Sequence, residues 1–198
     1  MMRKLRILLW IMVALSLAGF AFLLLRGRAE PSPPTVQTST VDFGGPFTLT
    51  GSDGRPFSSQ RLAGRPHAVF FGFTHCPDVC PTTLARMVKL RQQLGSEDSF
   101  EILFVTVDPE RDGPEEVGKY ADLFGSPVIG LTGSPARIQQ VQRQFGIYSR
   151  KSPDDQGGYS VDHTASVLLF GRDGRFVATI SPEENDSVAL GKLRRIAA

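Results

Sequence analysis

The chain has 198 residues, 41% of them hydrophobic and 21% charged, a balance that fits one globular domain and excludes disorder as the main state. Two cysteines are too few for a disulfide framework. The net charge of +2 hides a split: five of the 22 basic residues lie in positions 1–28 with no acid, leaving 17 basic against 20 acidic, a net of −3 that gives no reason to expect nucleic-acid binding.

Ile7 to Leu25 is a run of 19 residues without a charge. As a helix rising about 1.5 Å per residue it reaches about 28 Å, close to the roughly 30 Å of a hydrocarbon core. Arg3, Lys4 and Arg6 precede it, and Arg26 and Arg28 follow. A cleaved signal peptide has a shorter apolar region, about 7–15 residues, ending in a small-residue site. The run therefore reads as a single uncleaved transmembrane helix, with no nearby cysteine for lipid attachment. The basic excess before it favours the amino terminus inside, so the body of an inner-membrane protein would face the periplasm or an equivalent compartment. Residues 29–41 (AEPSPPTVQTSTV) read as an extended tether. The expected division is anchor 1–28, tether 29–41 and folded domain 42–198.

Within the body, Asp53-Gly54 between short apolar stretches predicts a β-hairpin over 47–58. HAVFFGF (67–73) is a continuous apolar run of the kind buried on both faces of a sheet. Pro81 to Leu94 has roughly helical apolar spacing, and FEILFVTV (100–107) predicts a second buried strand. Pro114 to Phe124 sets Val117, Tyr120, Ala121 and Phe124 on one helical face. VIGLT (128–132) predicts a strand, and Ser134-Pro135 opens a helix that Gly146 stops. Residues 149–160 read as a polar, mobile loop. TASVLLF (164–170) and FVATI (176–180) flank Asp173-Gly174 as a second hairpin, and Ser181-Pro182-Glu183-Glu184 predicts the start of a last helix. This α/β order resembles the thioredoxin-like one with an insertion: a central mixed sheet, helices on both faces, and an N-terminal β-hairpin.

Both cysteines fall in Cys76-Pro77-Asp78-Val79-Cys80-Pro81, between a buried strand and a helix. Proline is favoured at the first helical position, so Pro81 makes Cys80 the expected N-cap, with its pKa lowered by the positive helix end. Residues four apart across a turn can approach within disulfide reach. Two chemistries remain open: thiol–disulfide exchange by a redox-active Cys76/Cys80 dithiol, and metal binding. A peroxidase of this fold would need P-x-x-x-T-x-x-C ending at Cys76, but Val69 and Phe73 stand at the first two positions. Two thiolates with one imidazole would make a soft set suited to copper. Of three histidines, His67 opens a core strand, His75 diverges from Cys76, and His163 follows the polar loop that in such folds abuts the cysteine turn.

FGFTHCPDVCPTTL (71–84), VTVDPERD (105–112) and YSVDHTASVLLF (159–170) resemble the signature blocks of the Sco/SenC family, and the similarity spans about residues 43–195. The resemblance implies a membrane-tethered thioredoxin-like domain that binds copper, as Cu(I) or Cu(II), through two cysteines and one histidine. Those map onto Cys76, Cys80 and His163. It further implies help in assembling the CuA centre of cytochrome c oxidase subunit 2, by copper delivery or thiol reduction, with another periplasmic copper chaperone as a second partner. Such a chaperone would have no turnover of its own; a thiol–disulfide oxidoreductase is the alternative. Leu168 and the Gly171-Arg172-Asp173-Gly174 turn depart from the family pattern as packing and turn changes. Asp108 and Asp112 read as turn acids or as groups that orient His163 or dock a partner. Asp78 reads as a solvated turn acid, and Asn185-Asp186-Ser187 as a sequon that helix-start polarity explains.

Overall fold

In this computed structural model, which describes residues 2–26, 43–95, 99–153 and 157–197, the strand at His67–Gly72 is buried at every position. Val69, Phe70 and Phe71 have no exposed surface. A strand buried on both faces needs cover on both, and that requirement organises the fold. The chain divides into two compact units, Met1–Ser39 and Thr40–Ala198.

The first unit contains helix α1 (Met2–Arg26), which covers the charge-free run at 7–25. Its described apolar side chains are exposed, Trp10 most of all at 74%. Among the described residues, however, no helix is long and apolar enough to cross a membrane. The tether expected at 29–41 lies outside the described residues.

In the second unit the order is β1 (Thr48–Gly51), β2 (Pro56–Ser58), a 3-10 turn (Ser59–Leu62), β3 (His67–Gly72), α2 (Val79–Gln93), β4 (Glu101–Thr106) and α3 (Pro114–Asp122). There follow β5 (Ile129–Thr132), α4 (Pro135–Gln144), β6 (Ser149–Pro153), β7 (Tyr159–His163), β8 (Val167–Phe170), β9 (Phe176–Ile180) and α5 (Asp186–Ala197). Seven strands form one mixed sheet in the order β2-β1-β5-β4-β3-β8-β9, with β3, β4 and β5 parallel and the rest antiparallel. The Asp173-Gly174 turn joins β8 to β9 as expected, because Gly174 adopts φ +73°, which costs a residue without Cβ little.

Alternation along β3 sends side chains to opposite faces. On one face Phe70 meets Phe104, which meets Tyr120 of α3; on the other Phe71 meets Phe145 at the end of α4. Helices therefore cover both faces, as the sequence implies. Each buried phenylalanine contributes about 1.5–3 kcal/mol by leaving water.

Two expectations fail. Residues 149–160 are not a loop: β6 and β7 pair in register from Ser149↔His163 to Pro153↔Tyr159, as a two-stranded sheet separate from the main one. Both strands are largely exposed, so neither needs the apolar alternation that would have announced it. The last helix begins at Asp186 rather than after Ser181. The carbonyls of Ser181, Pro182 and Glu184 accept from the Arg86 guanidinium, and the Glu184 carboxylate reaches Lys192 at 2.6 Å, so this segment is a turn held from outside. Asn185 Oδ1 accepts from the Ser187 N–H at 2.9 Å and acts as the cap, which accounts for the apparent sequon.

His67 opens β3 as a core residue, its ring stacked on Phe170 with centroids 5.0 Å apart and its Nδ1 3.0 Å from the Arg65 carbonyl. Burial pushes its pKa below 6.5, against smaller opposing effects of that carbonyl and Glu101. A depressed histidine contributes stability that is full above the unfolded value and is lost as pH falls through about 6.5 toward the folded one. Stability in denaturant should therefore drop on acidification in this window, by up to about 1.4 kcal/mol per pH unit from this group. His67→Phe, which keeps the stacking, should flatten that slope. An unchanged slope in the variant would remove His67 as its source.

Candidate metal centre

β3 ends at Gly72, and the chain turns through Phe73, Thr74 and His75 to deliver Cys76 before α2 begins at Val79. The helix starts two residues earlier than Pro81 suggests, with Asp78 as N-cap. Amides in the first turn of a helix have no intrahelical acceptor, so Pro81 costs no bond there. This shift reverses the expected roles of the two thiols. Cys80 lies inside the helix, and its N–H points at Cys76 Sγ, 3.4 Å away. The helix start thus serves Cys76.

Cys76 is half-buried and its pKa falls to about 4, chiefly through the hydrogen bond from the Cys80 thiol; burial opposes, and His163 with the amides of Cys80 and Asp78 adds to the lowering. Cys80 has no exposed surface, and its thiol is pushed up by sharing its proton with Cys76 and by burial. Gly72 makes room for it: a Cβ there would sit 2.8 Å from Cys80 Sγ and 3.0 Å from Phe104.

The third member comes from the other end of the fold. His163 closes β7, and its Nε2 lies 3.5 Å from Cys80 Sγ, 83 residues away in sequence. Its Nδ1 sits 3.0 Å from the Thr164 carbonyl. With the proton assigned to Nδ1 by that contact, the Nε2 lone pair faces the sulfurs. The edges of Phe70 and Phe73 meet the ring at 6.1 and 5.8 Å between centroids. The two Sγ atoms and the imidazole nitrogen lie within 4.8 Å of one another. Two soft sulfurs and one nitrogen fit a soft ion of low coordination number, and fall one ligand short of a closed tetrahedral zinc site.

The other singled-out residues stand outside this trio. His75 turns away, its Nδ1 3.0 Å from Thr74 Oγ1 and 3.6 Å from Asp112. Asp78 is an exposed turn acid that accepts the Thr82 hydroxyl at 3.3 Å. Asp108 and Asp112 are more than turn acids, since neither has exposed surface. Asp112 accepts from the Thr74 N–H at 2.9 Å, the Thr74 hydroxyl at 2.6 Å and the Thr106 hydroxyl at 2.7 Å. Asp108 accepts the Tyr159 hydroxyl at 2.9 Å and pairs with Arg111. The supporting parts played by Thr74, Thr106, Arg111 and Tyr159 were not visible in the sequence beyond their place in the three signature blocks.

The family model described as SCO1/SenC matches residues 35–198. A relative, "Protein SCO1 homolog, mitochondrial" of Mus musculus, is 39% identical over 155 residues, 76% of this chain and 55% of that protein. The chain spans about half the length of several of the curated relatives it matches. A solved structure, Bradyrhizobium japonicum ScoI with copper bound, superposes with a TM-score of 0.70 at 39% identity, covering 78% of this chain and 99% of that one. Another, BsSco, is described with a disulfide switch and as a member of the Sco family of cytochrome c oxidase assembly proteins; it gives 0.61 at 27% identity, covering 78% and 92%.

Proposed function

The chain belongs to the SCO1/SenC family, and from that premise we propose that it is a copper chaperone. It would carry one copper ion as cargo on Cys76, Cys80 and His163 and assist assembly of the CuA centre of cytochrome c oxidase subunit 2. The observation that carries this reading is the convergence of two sulfurs and an imidazole nitrogen within 4.8 Å from distant parts of the sequence. The copper in ScoI and the oxidase-assembly description of BsSco support it by similarity. Thiolates suit Cu(I), and the added imidazole lets the same site hold Cu(II). The charge-free run at 7–25 and its basic flanks support α1 as an inner-membrane anchor with the domain in the periplasm. On this reading 1–28 anchors, 29–41 tethers and 42–198 carries the metal. Copper would come from a periplasmic donor protein.

A strain lacking the protein should lose most oxidase activity and recover it with added copper or with the intact gene. Undiminished oxidase activity at limiting copper would overturn the reading.

A second reading is favoured by the asymmetry of the two thiols. The half-exposed Cys76, with its low pKa, is placed to attack a partner's disulfide, forming a mixed disulfide and releasing one partner thiolate. Cys80 would then displace the second partner sulfur and leave a Cys76–Cys80 disulfide, with two electrons and two protons passed to the partner. Such a reductase would keep the partner's cysteines ready for copper, with His163 adding only a smaller part to the lowering of the Cys76 pKa.

A further inference from the structure

Both arms of the ligand trio are fastened to the same short loop between β4 and α3. On the cysteine arm, the buried Asp112 holds the Thr74 N–H and hydroxyl, two residues before Cys76. On the histidine arm, three residues of the loop hold the β6–β7 hairpin. Asp108 accepts the Tyr159 hydroxyl at 2.9 Å. Arg111 Nη1 donates to the Tyr159 carbonyl at 3.0 Å, and its guanidinium lies 3.8 Å from the centre of the Tyr159 ring. Glu110 pairs with Lys151 at 2.6 Å, and that ammonium sits 4.5 Å from the same ring. Tyr159 and His163 begin and end one strand, β7.

The hairpin needs this fastening. Among the described residues its two strands pair with each other and not with the main sheet, so no ladder bond of that sheet fixes them. Among its described residues Val161 is the one buried apolar side chain, and Gln142 to Ser149 at 2.9 Å ties its base. The Lys151–Glu110 pair is exposed and screened, so it adds little. The bonds to the buried Asp108 are charge-assisted and shielded from water, and the planar Arg111 fork stacks as it donates.

We propose that Asp108, Arg111 and Tyr159 form a positioning clamp that sets the reach of His163 onto the two sulfurs. The clamp touches no ligand atom. It acts by fixing the hairpin that carries the imidazole, while Asp112 independently holds the cysteine turn. The spacing between the histidine and cysteine arms is then a property of one loop. The proposal deepens the copper reading and rests on it for its meaning, but its geometry is testable without metal.

The test compares Tyr159→Phe and Arg111→Lys with wild type and His163→Ala. Tyr159→Phe keeps the ring and loses one bond, and Arg111→Lys keeps the charge beside Asp108, so both should fold. In metal-free, reduced protein with labelled histidine side chains, NMR should show the His163 ring tightly ordered in wild type, with cross-relaxation to the Phe73 ring. In both variants that cross-relaxation should weaken and the ring order parameter fall. The ratio of Cu(II) to Cu(I) affinity should drop roughly tenfold in the variants, and adding either to His163→Ala should lower it no further than His163→Ala alone, as expected of residues acting through one group. A merely structural role would lower the melting temperature and leave ring order and ratio unchanged. Either readout remaining at the wild-type value in both variants overturns the clamp. If wild-type protein binds no copper, the copper reading fails instead, and the metal-free NMR alone decides the clamp.

Discussion

Cys76→Ser and Cys80→Ser are each expected to abolish tight copper binding. A serine hydroxyl is hard and stays protonated at neutral pH, so either change leaves one sulfur and one imidazole where two sulfurs and an imidazole stand within 4.8 Å. The loss should exceed the ~10–100-fold that follows from disturbing a ligand's supporting hydrogen bonds. The two variants should differ in the thiol that remains. Cys80→Ser leaves a hydroxyl that can still donate to Cys76, so Cys76 should keep a lowered pKa and alkylate readily near pH 6, whereas Cys80→Ala, which removes the donor that contributes most to lowering that pKa to about 4, should slow the reaction. Cys76→Ser leaves a thiol with no exposed surface, which should resist alkylation in the folded state. Wild-type protein oxidised to the Cys76–Cys80 disulfide should match the variants in copper uptake, because ligation needs free thiolates. Competition against a Cu(I) chelator under anaerobic conditions measures all three, with reductant present for the two variants and left out for the disulfide form. Full affinity in either single variant would remove both cysteines from the site as proposed.

His163→Ala is expected to weaken Cu(II) far more than Cu(I). Two thiolates alone can hold Cu(I), which is soft and accepts two ligands. Cu(II) prefers more ligands with nitrogen among them, and Nε2 of His163, with its proton placed on Nδ1 by the Thr164 carbonyl, supplies that nitrogen. The alanine variant should retain dithiol redox activity, which separates the chaperone from the reductase: an oxidase defect in this variant with intact disulfide reduction points to copper delivery. Titration of both oxidation states, wild type beside variant, reads the effect. An equal loss for both ions, or for neither, would mean that His163 does not discriminate between them.

Much of the fold was legible because its signals are local. HAVFFGF, FEILFVTV and VIGLT became β3, β4 and β5, since continuous apolar runs between turns have few other fates. The β6–β7 hairpin was not legible. SRKSP and YSVDH form strands whose positions are exposed or half-buried except at Val161, held by a pairing and a clamp that leave no hydrophobic period. The cysteine pair stood out by spacing alone, but its internal chemistry was misjudged. Pro81 reads as the first helical residue, yet the absence of an acceptor in the first turn lets it sit two residues inside. His163 stands out by its place after a loop that in such folds abuts the cysteine turn, but its part as a ligand comes from the family resemblance, because a contact across 83 residues leaves no trace in local pattern. The burial of Asp112 was hidden for the same reason, since Thr74, its partner on the cysteine turn, stands 38 residues away.

The burial of Cys80 beneath Gly72 and Phe104 has a bearing on traffic through the site. A metal held by the trio would be open to an approaching protein only from the side of Cys76 and His163, because Cys80 offers no surface. Incoming donor atoms must therefore replace those two in turn, with Cys80 as the last bond to break on departure and the first to need a deprotonated sulfur on arrival. Without the ion, the proton shared with Cys76 and burial both favour the thiol form of Cys80.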